Sequence, residues 1–536
     1  MVRGKMMFGF LRRKLRLAYL RKKPPTPSSR RNLSPDLEAN LAAFRRKLGA
    51  SPDLIIRRLR LGPETGIAGA LLMIGGLTDQ QVVNRDIIRP LMNEMKQAKG
   101  KGTGDLLDYL ADKVVVIGEV RREPQFEQAL DLLLQGDTIL LLDGEEEALV
   151  FTTQGWKTRS IQEPESEQII RGPHEGFTED LRTNTALLRR KITNPGLQFE
   201  ETKIGRRTQT TVALAYLRGV VNEKLVKEVR TRLKRVNIDQ ILDANYLVEF
   251  ISDAPFSIFP TITYTERPDV AAAKLLEGRV AILVDGTPMV NTVPTLWVES
   301  FQSPDDYNFS FHYATLIRML RYLSFFLAVF SPAIFVALAS YHQELLPTPL
   351  LVTLSGATEG TPFPIVVEMI MMGAFFEILR EAGIRIARPV GSTISIVGAL
   401  VIGEAAVSAG LVGGPTIIVV ALTAITSFVV PRQVTAGIVL RLTYTLLAGM
   451  LGAYGILIGM LFTLLHLASL RSFGVPYLSP LAPSTAADLK DVLVRVPIWA
   501  MGTRPRLIGW PRPQRQPVGF DQVVEEEREG ANDADG

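Results

Sequence analysis

Apolar residues recur at two different periods along this chain. From Leu37 to Leu61 they repeat at helical spacing, which predicts a helix. Around Lys113 the pattern shifts. The runs VVVIGEV (Val114–Val120) and TILLLDG (Thr138–Gly144) are β-type, and Asp143-Gly144 is a hairpin signal before a third run, Ala148–Thr153. Thr178–Lys191 reads as a helix with Thr178 as N-cap, Glu179 and Asp180 in its first turn and Arg189, Arg190 and Lys191 at its basic end, each sign suited to its pole of the helix dipole. Leu197–Gly205 and Thr211–Leu217 read as strands, Val221–Val236 and Ile238–Asp253 as amphipathic helices. This alternation favours an α/β sheet with helices packed on it.

One pattern occurs twice. Leu133-Leu134-x-Gly136-x-x-x-Leu140-Leu141-x-Asp143-Gly144 returns 142 residues later as Leu275-Leu276-x-Gly278-x-x-x-Ile282-Leu283-x-Asp285-Gly286. Each copy reads as a helix end, a glycine stop, a buried strand and a tight turn. Two related α/β subdomains are expected.

Beyond Tyr322 ionised side chains become rare. Five apolar segments follow: Tyr322–Tyr341, Phe363–Leu379, Val390–Gly410, Pro415–Pro431 and Gln433–Leu467. Tyr322–Ala339 is 18 residues without a formal charge and Leu442–Leu465 is 24, against the ~20 needed to cross a hydrocarbon core. An α-helical polytopic transmembrane region is expected to follow the α/β part. Arg318 and Arg321 precede the first span, the exit loop Tyr341–Pro362 has no Lys or Arg, Arg380, Arg385 and Arg388 follow the second segment, and Arg471, Lys490, Arg495, Arg504 and Arg506 follow Leu470. The positive-inside rule then puts both ends of the region on the cytoplasmic side. That needs an even number of crossings, and four with one irregular segment is the preferred reading. Pro415–Pro431 is short, and Gln433–Leu467 carries Gly449, Gly452, Gly455 and Gly459, where it can bend.

Charges inside these segments carry the functional signal, because each costs about 2–3.5 kcal/mol or more if shown to lipid near mid-bilayer. Glu368, Glu404 and Arg441 are the ion-path candidates. Glu404 lies among small residues, where either an interhelical hydrogen bond, with Arg441 as a partner, or an ion path accounts for it. Glu377 with Arg380 (i, i+3) and Glu381 with Arg385 (i, i+4) pair locally and read as interfacial.

Composition narrows the chemistry. The chain has no cysteine and four scattered histidines, so thiolate metal sites and a thiol nucleophile are excluded and no metal cluster is expected. No phosphate loop, nucleophile elbow or HExxH pair occurs, so no enzyme activity, cofactor or nucleic-acid partner is expected. The first 31 residues hold eleven Lys or Arg and no acid, and read either as a disordered tail or as a basic helix on an anionic membrane surface. The resulting division is residues 1–36, a basic extension; 37–170 and 171–315, the two α/β subdomains; 316–470, the transmembrane region; 471–510, a cytoplasmic segment; and 511–536, a disordered Pro-rich then acidic tail.

Several long motifs match one family. Arg171–Arg190 (RGPHEGFTEDLRTNTALLRR) resembles the signature of GerA-type spore germination receptor A subunits, with Glu179, Asp180, Arg182 and Asn184 at its centre. So do Tyr264–Asp269 (TERPD with Glu266, Arg267, Pro268 and Asp269), Leu276–Pro288 (with Asp285 and Gly286), Phe301–Tyr307 (FQSPDDY) and Asp491–Arg495. The resemblance runs from about residue 110 to 510. It implies a nutrient-responsive receptor in the inner membrane of a dormant spore, working with a permease-like B subunit and a lipoprotein C subunit. It further implies assembly of A subunits into a homo-oligomeric ring around a conduction path, with the permease-like partner expected to hold the nutrient. A sporulation-stage paralogue linked to dipicolinic acid release, and a small-solute transporter, are the competing readings.

Overall fold

A computed structural model describes residues 31–49, 51–61, 66–94, 107–155, 163–164, 167–385, 403–485, 488–509 and 514–515. The basic extension before residue 31, most of the Val390–Gly410 segment and the acidic tail lie outside them. Two compact units result. One contains the described residues up to Ser252, Ile262–Pro294 and the described residues from Val496 on; the other contains Asp253–Thr261 and Thr295–Arg495.

The first unit is built twice over. Helix α1 (Leu37–Leu48) precedes strands β1 (Leu54–Leu61) and β2 (Ile67–Ile74); β3 (Val120–Glu123), α2 (Phe126–Gln135), β4 (Thr138–Leu142) and β5 (Ala148–Phe151) complete the first copy. The second runs α3 (Leu181–Lys191), β6 (Leu197–Ile204), β7 (Thr210–Leu217), α4 (Glu223–Arg235), α5 (Ala244–Ile251), β8 (Thr263–Thr265), α6 (Pro268–Leu276), β9 (Val280–Val284) and β10 (Val290–Val293). The sheet orders are β1-β2-β4-β5-β3 and β6-β7-β9-β10-β8, the same path through the same positions. All named pairings are antiparallel. The 142-residue offset holds for β4 against β9 and for β5 against β10.

Each sheet is buried on both faces, so its middle strand, β4 (TILLL) or β9 (VAILV), is an almost continuous apolar run. In the first copy Leu41, Phe44, Phe126 and Leu133 cover one face with Ile139 and Leu141. Ile87, Leu91, Leu110 and Val114 cover the other with Leu140 and Leu142. In the second, Leu188, Phe199, Leu275 and Leu283 share a core.

Four expected elements are corrected. The helix expected over Leu37–Leu61 ends at Leu48, because Gly49 takes a left-handed φ of 68° and Pro52 follows; Leu54–Leu61 is a strand paired with β2. The Val114–Val120 run is not a strand except at Val120. Val114, Val115 and Ile117 pack against the sheet face, Val116 is exposed, and only Val120–Glu123 finds a ladder partner. The N-cap of α3 is Asp180, which accepts from Thr183 N at 3.1 Å, and not Thr178. The helix expected from Ile238 begins only at Ala244. The carbonyls of Ile238 and Asp239 instead accept from Arg206 N and Arg207 N in the β6–β7 turn.

The second unit is helical: α7 (Phe311–Ser340), α8 (Thr348–Thr358), α9 (Ile365–Arg385), α10 (Gly414–Ser427), α11 (Val434–Leu451) and α12 (Ala453–Ser469). Residues 403–408 are also helical. Helix α8 falls in what the sequence suggested was a plain exit loop. Phe311–Ser340 and Pro431–Leu451 are long and apolar enough to cross a membrane by length and composition, and Gly414–Ser427 and Ala453–Ser469 are shorter apolar helices. The Gln433–Leu467 segment is two helices, broken at Gly452 with φ 60°. They form a hairpin: Tyr444 Oη donates to Thr463 Oγ1 at 2.8 Å, and a Cβ on Gly455 would collide with Leu447 O. Tyr341 Oη donates to Gly449 O at 2.6 Å, so α7 ends where the hairpin turns. At the opposite end Gln433 Nε2 donates to Ser300 Oγ at 2.7 Å and Ser257 Oγ meets His466 Nε2 at 2.9 Å.

Candidate functional site

The signature residues of the first unit hold its two copies together in the same way. Asn184 Oδ1 accepts from Thr178 N at 2.8 Å and its Nδ2 donates to Thr178 O; Asn40 makes the same pair of bonds with Ser34. Asp285 Oδ1 accepts from Leu181 N at 3.2 Å as Asp143 Oδ1 does from Leu37 N. Gly286 N donates to Glu179 O and Gly144 N to Pro35 O, both at 2.8 Å. Each turn glycine has φ near 90°, a conformation that suits glycine. These residues therefore fasten the start of a helix to a hairpin turn over a hundred residues away.

The TERPD stretch clamps the segment between the copies. Arg267, fully buried, donates to Pro173 O and Asp269 Oδ2, both at 2.8 Å, and Phe177 N donates to Glu266 O at 2.7 Å. Pro268 opens α6 at its first turn, where its missing N–H is no loss. Across the two copies, Arg189 is buried against Asp53 at 2.7 Å.

Between the copies lies a cleft of about 420 Å³. One wall comprises Gly76, Thr78, Asp79 and Gln81; Asp180, Arg182, Thr183 and Arg190 line the other. Gly76 approaches α3 so closely that a Cβ would lie 2.9 Å from Ala186 Cβ. Glu175 bridges Lys191 at 2.8 Å and Arg190 at 3.3 Å, and the Lys191 hydrogen bond holds its carboxyl below the usual range. Opposite charges and amides on facing walls are the lining a small polar solute needs.

In the helical unit the charged candidates separate into three environments. Glu368 on α9 is fully buried, and its Oε2 accepts from Gly413 N at 3.1 Å and Thr416 Oγ1 at 3.0 Å. A carboxylate thus sits at the N-terminus of α10, where the helix dipole favours it. Its Oε1 has no partner among the described residues. Glu377 binds Arg380 at 2.6 Å and also Arg441 from α11. Glu381 binds Arg385 at 2.6 Å on an exposed face. Glu404 is exposed and the partner of Arg441 is Glu377, which corrects the pairing considered from sequence. Glu368 and the Glu377–Arg380–Arg441 group are thus separate sites, as a spacing of nine positions along one helix requires.

A second buried charge set had no counterpart in the sequence reading. Arg318 is fully buried between Asp306 (3.0 Å) and Asp491 (2.8 Å), and Arg321 joins Asp306 at 2.7 Å. Arg318 and Arg321 had counted only as flanking positive charges. The FQSPDDY and Asp491 motifs held the signal, but nothing in their spacing brings 306, 318 and 491 together.

A chain of tandem three-layer sheets followed by apolar helices with buried charge pairs is a defined class of architecture. The family model for the Bacillus/Clostridium GerA spore germination protein matches residues 42–507, and this chain belongs to that family. It is 44% identical to spore germination protein KA of Bacillus subtilis (strain 168) over 92% of this chain and 90% of that one. It is 40% identical to spore germination protein B1 of the same organism (88% and 96%) and 39% identical to its uncharacterized membrane protein YfkQ (89% and 92%). Among solved structures it resembles the N-terminal domain of the A subunit of the Bacillus megaterium spore germinant receptor GerK3, 35% identical, covering 50% of this chain and 98% of that one with a TM-score of 0.41.

Proposed function

We propose that this chain is the A subunit of a nutrient-responsive germination receptor, anchored in the spore inner membrane by its helical unit and acting by gating ions, without catalysis. The observation that carries the reading is the outward face of the helices. Ile418, Leu422 and Ile425 on α10, Leu442, Leu446 and Met450 on α11, and Leu457, Leu461 and Leu465 on α12 are exposed at helical spacing, while Glu368, Glu377 and Arg441 turn inward. Lipid or a second copy covers such faces; water does not. Helices α7, α9, α11 and α12 serve as four crossings, with α8 and residues 403–427 as irregular elements lining the assembly. The first unit then lies in the cytoplasm, and permease-like and lipoprotein subunits complete the receptor.

Reconstitution with those partners in planar bilayers tests this. Nutrient-evoked conductance should need this chain, and Glu404→Gln or Glu368→Gln should change it at unchanged protein level. Conductance indifferent to omission of the chain would leave it a scaffold. The cleft supports a second element: a small polar solute bound between the two copies biases the gate. Arg182→Ala should then raise the nutrient concentration needed for half-response, with the maximal response kept.

A further inference from the structure

The loop Asp253–Thr261 belongs by its contacts to the helical unit, although the chain on either side of it belongs to the first. Three bonds fasten it there. Asp253 Oδ2 accepts from Phe473 N at 2.6 Å, Ser257 Oγ meets His466 Nε2 at 2.9 Å, and Thr261 O accepts from Ser472 Oγ at 2.6 Å. Phe259 is 3% exposed and packs in the same core as Leu467 and Leu470. Phe256, three residues earlier, is 100% exposed. A loop this firmly held does not leave a phenylalanine wholly in water without a reason; the free energy of covering that ring is about 2–3 kcal/mol.

We propose that Phe256, with Pro255 before it, is a membrane-surface anchor whose ring enters the headgroup–acyl boundary beside the last turn of α12. The proposal rests on the membrane reading of the helical unit. The depth is set by His466, to which Ser257, the next residue, is bonded. The outward apolar run of α12 continues through Leu461, Phe462, Leu464 and Leu465, and then stops; Ser469 and the exposed Arg471 follow. His466 therefore marks the level where the apolar belt gives way to polar surface, and adjacent residues are only 3.8 Å apart at Cα, which keeps Phe256 near that level. Aromatic rings gather there in membrane proteins. The occupant is lipid and not a second copy, because one ring and a proline supply far less than the ~800 Å² per partner of a stable protein interface, whereas lipid needs no such patch.

The absence of cysteine makes the test direct. Full-length Phe256→Cys and Leu461→Cys chains carry a nitroxide in lipid nanodiscs, and relaxation by oxygen is compared with relaxation by a water-soluble nickel chelate. Both positions are exposed, so neither substitution empties the core. Oxygen dominance at both positions is the expected result, with 256 the shallower. Nickel dominance at 256 with oxygen dominance at 461 overturns the anchor and keeps the membrane reading. Nickel dominance at both overturns both. A label at 256 reached by neither reagent is covered by protein, which also overturns the anchor.

Discussion

At the scale of single residues, the family signature is a set of backbone fasteners. Asn184 is 1% exposed and uses both ends of its amide on Thr178. Asn184→Leu leaves a buried N–H and C=O without partners, and a loss of about 1–3 kcal/mol is expected, read as faster hydrogen exchange in α3. Asn40→Leu should act on α1 in the same way, since the bonds are duplicated. Glu175 has a pH consequence. Its folded-state pKa lies below its ordinary 4.5, chiefly through the Lys191 hydrogen bond. An acid lowered on folding stabilises the native state above its unfolded pKa and loses that contribution as pH falls through the folded value. Acidification from pH 5 downward should therefore loosen the 171–191 region, and Glu175→Gln should flatten that part of the stability profile.

At the scale of elements, glycines set close joints in the helical unit. A Cβ on Gly455 would meet the carbonyl of Leu447, which is backbone and has no room to move, and one on Gly459 would meet the Tyr444 ring at 2.7 Å. Gly455→Val should open the α11–α12 hairpin and lower accumulation in the membrane more than Gly437→Val does, since none of the described residues lies within 4 Å of a Cβ at Gly437. The Glu377–Arg441 pair ties α9 to α11. Removing Glu377 leaves Arg441 buried without its counter-charge, a loss of about 3–5 kcal/mol, while removing both is milder; removing Arg441 alone leaves Glu377 paired with Arg380. Glu377→Ala should therefore lower the melting temperature in detergent, and Arg441→Ala added to it should restore part of the loss. A double-mutant cycle without coupling would show that the pair contributes nothing.

At the scale of the whole molecule, the proposed four-crossing arrangement predicts sidedness. Single cysteines at Glu344, between α7 and α8, and at Glu146, in the β4–β5 turn, should react oppositely with an impermeant maleimide: the first from outside intact cells, the second only after permeabilisation. Much of this molecule was legible in the order of residues. The doubled α/β unit showed through the Gly136/Gly278 and Asp143-Gly144/Asp285-Gly286 spacing, because a glycine stop and a tight turn each require a particular backbone that few residues supply. The apolar segments showed through their length, and the local pairs Glu377–Arg380 and Glu381–Arg385 through helical periodicity, since both are short-range properties. The strand nature of Leu54–Leu61 did not show, because a strand is defined by a partner, here β2, and the helix-like recurrence of leucines competes with it. Nor did the meeting of Arg318 with Asp306 and Asp491, of Glu368 with the first turn of α10, or of Arg441 with Glu377 in preference to Glu404. Those pairings join residues 12 to 173 positions apart. Local chemistry fixes which residues must be buried or turned; only the packing of helices in three dimensions chooses which charge neutralises which.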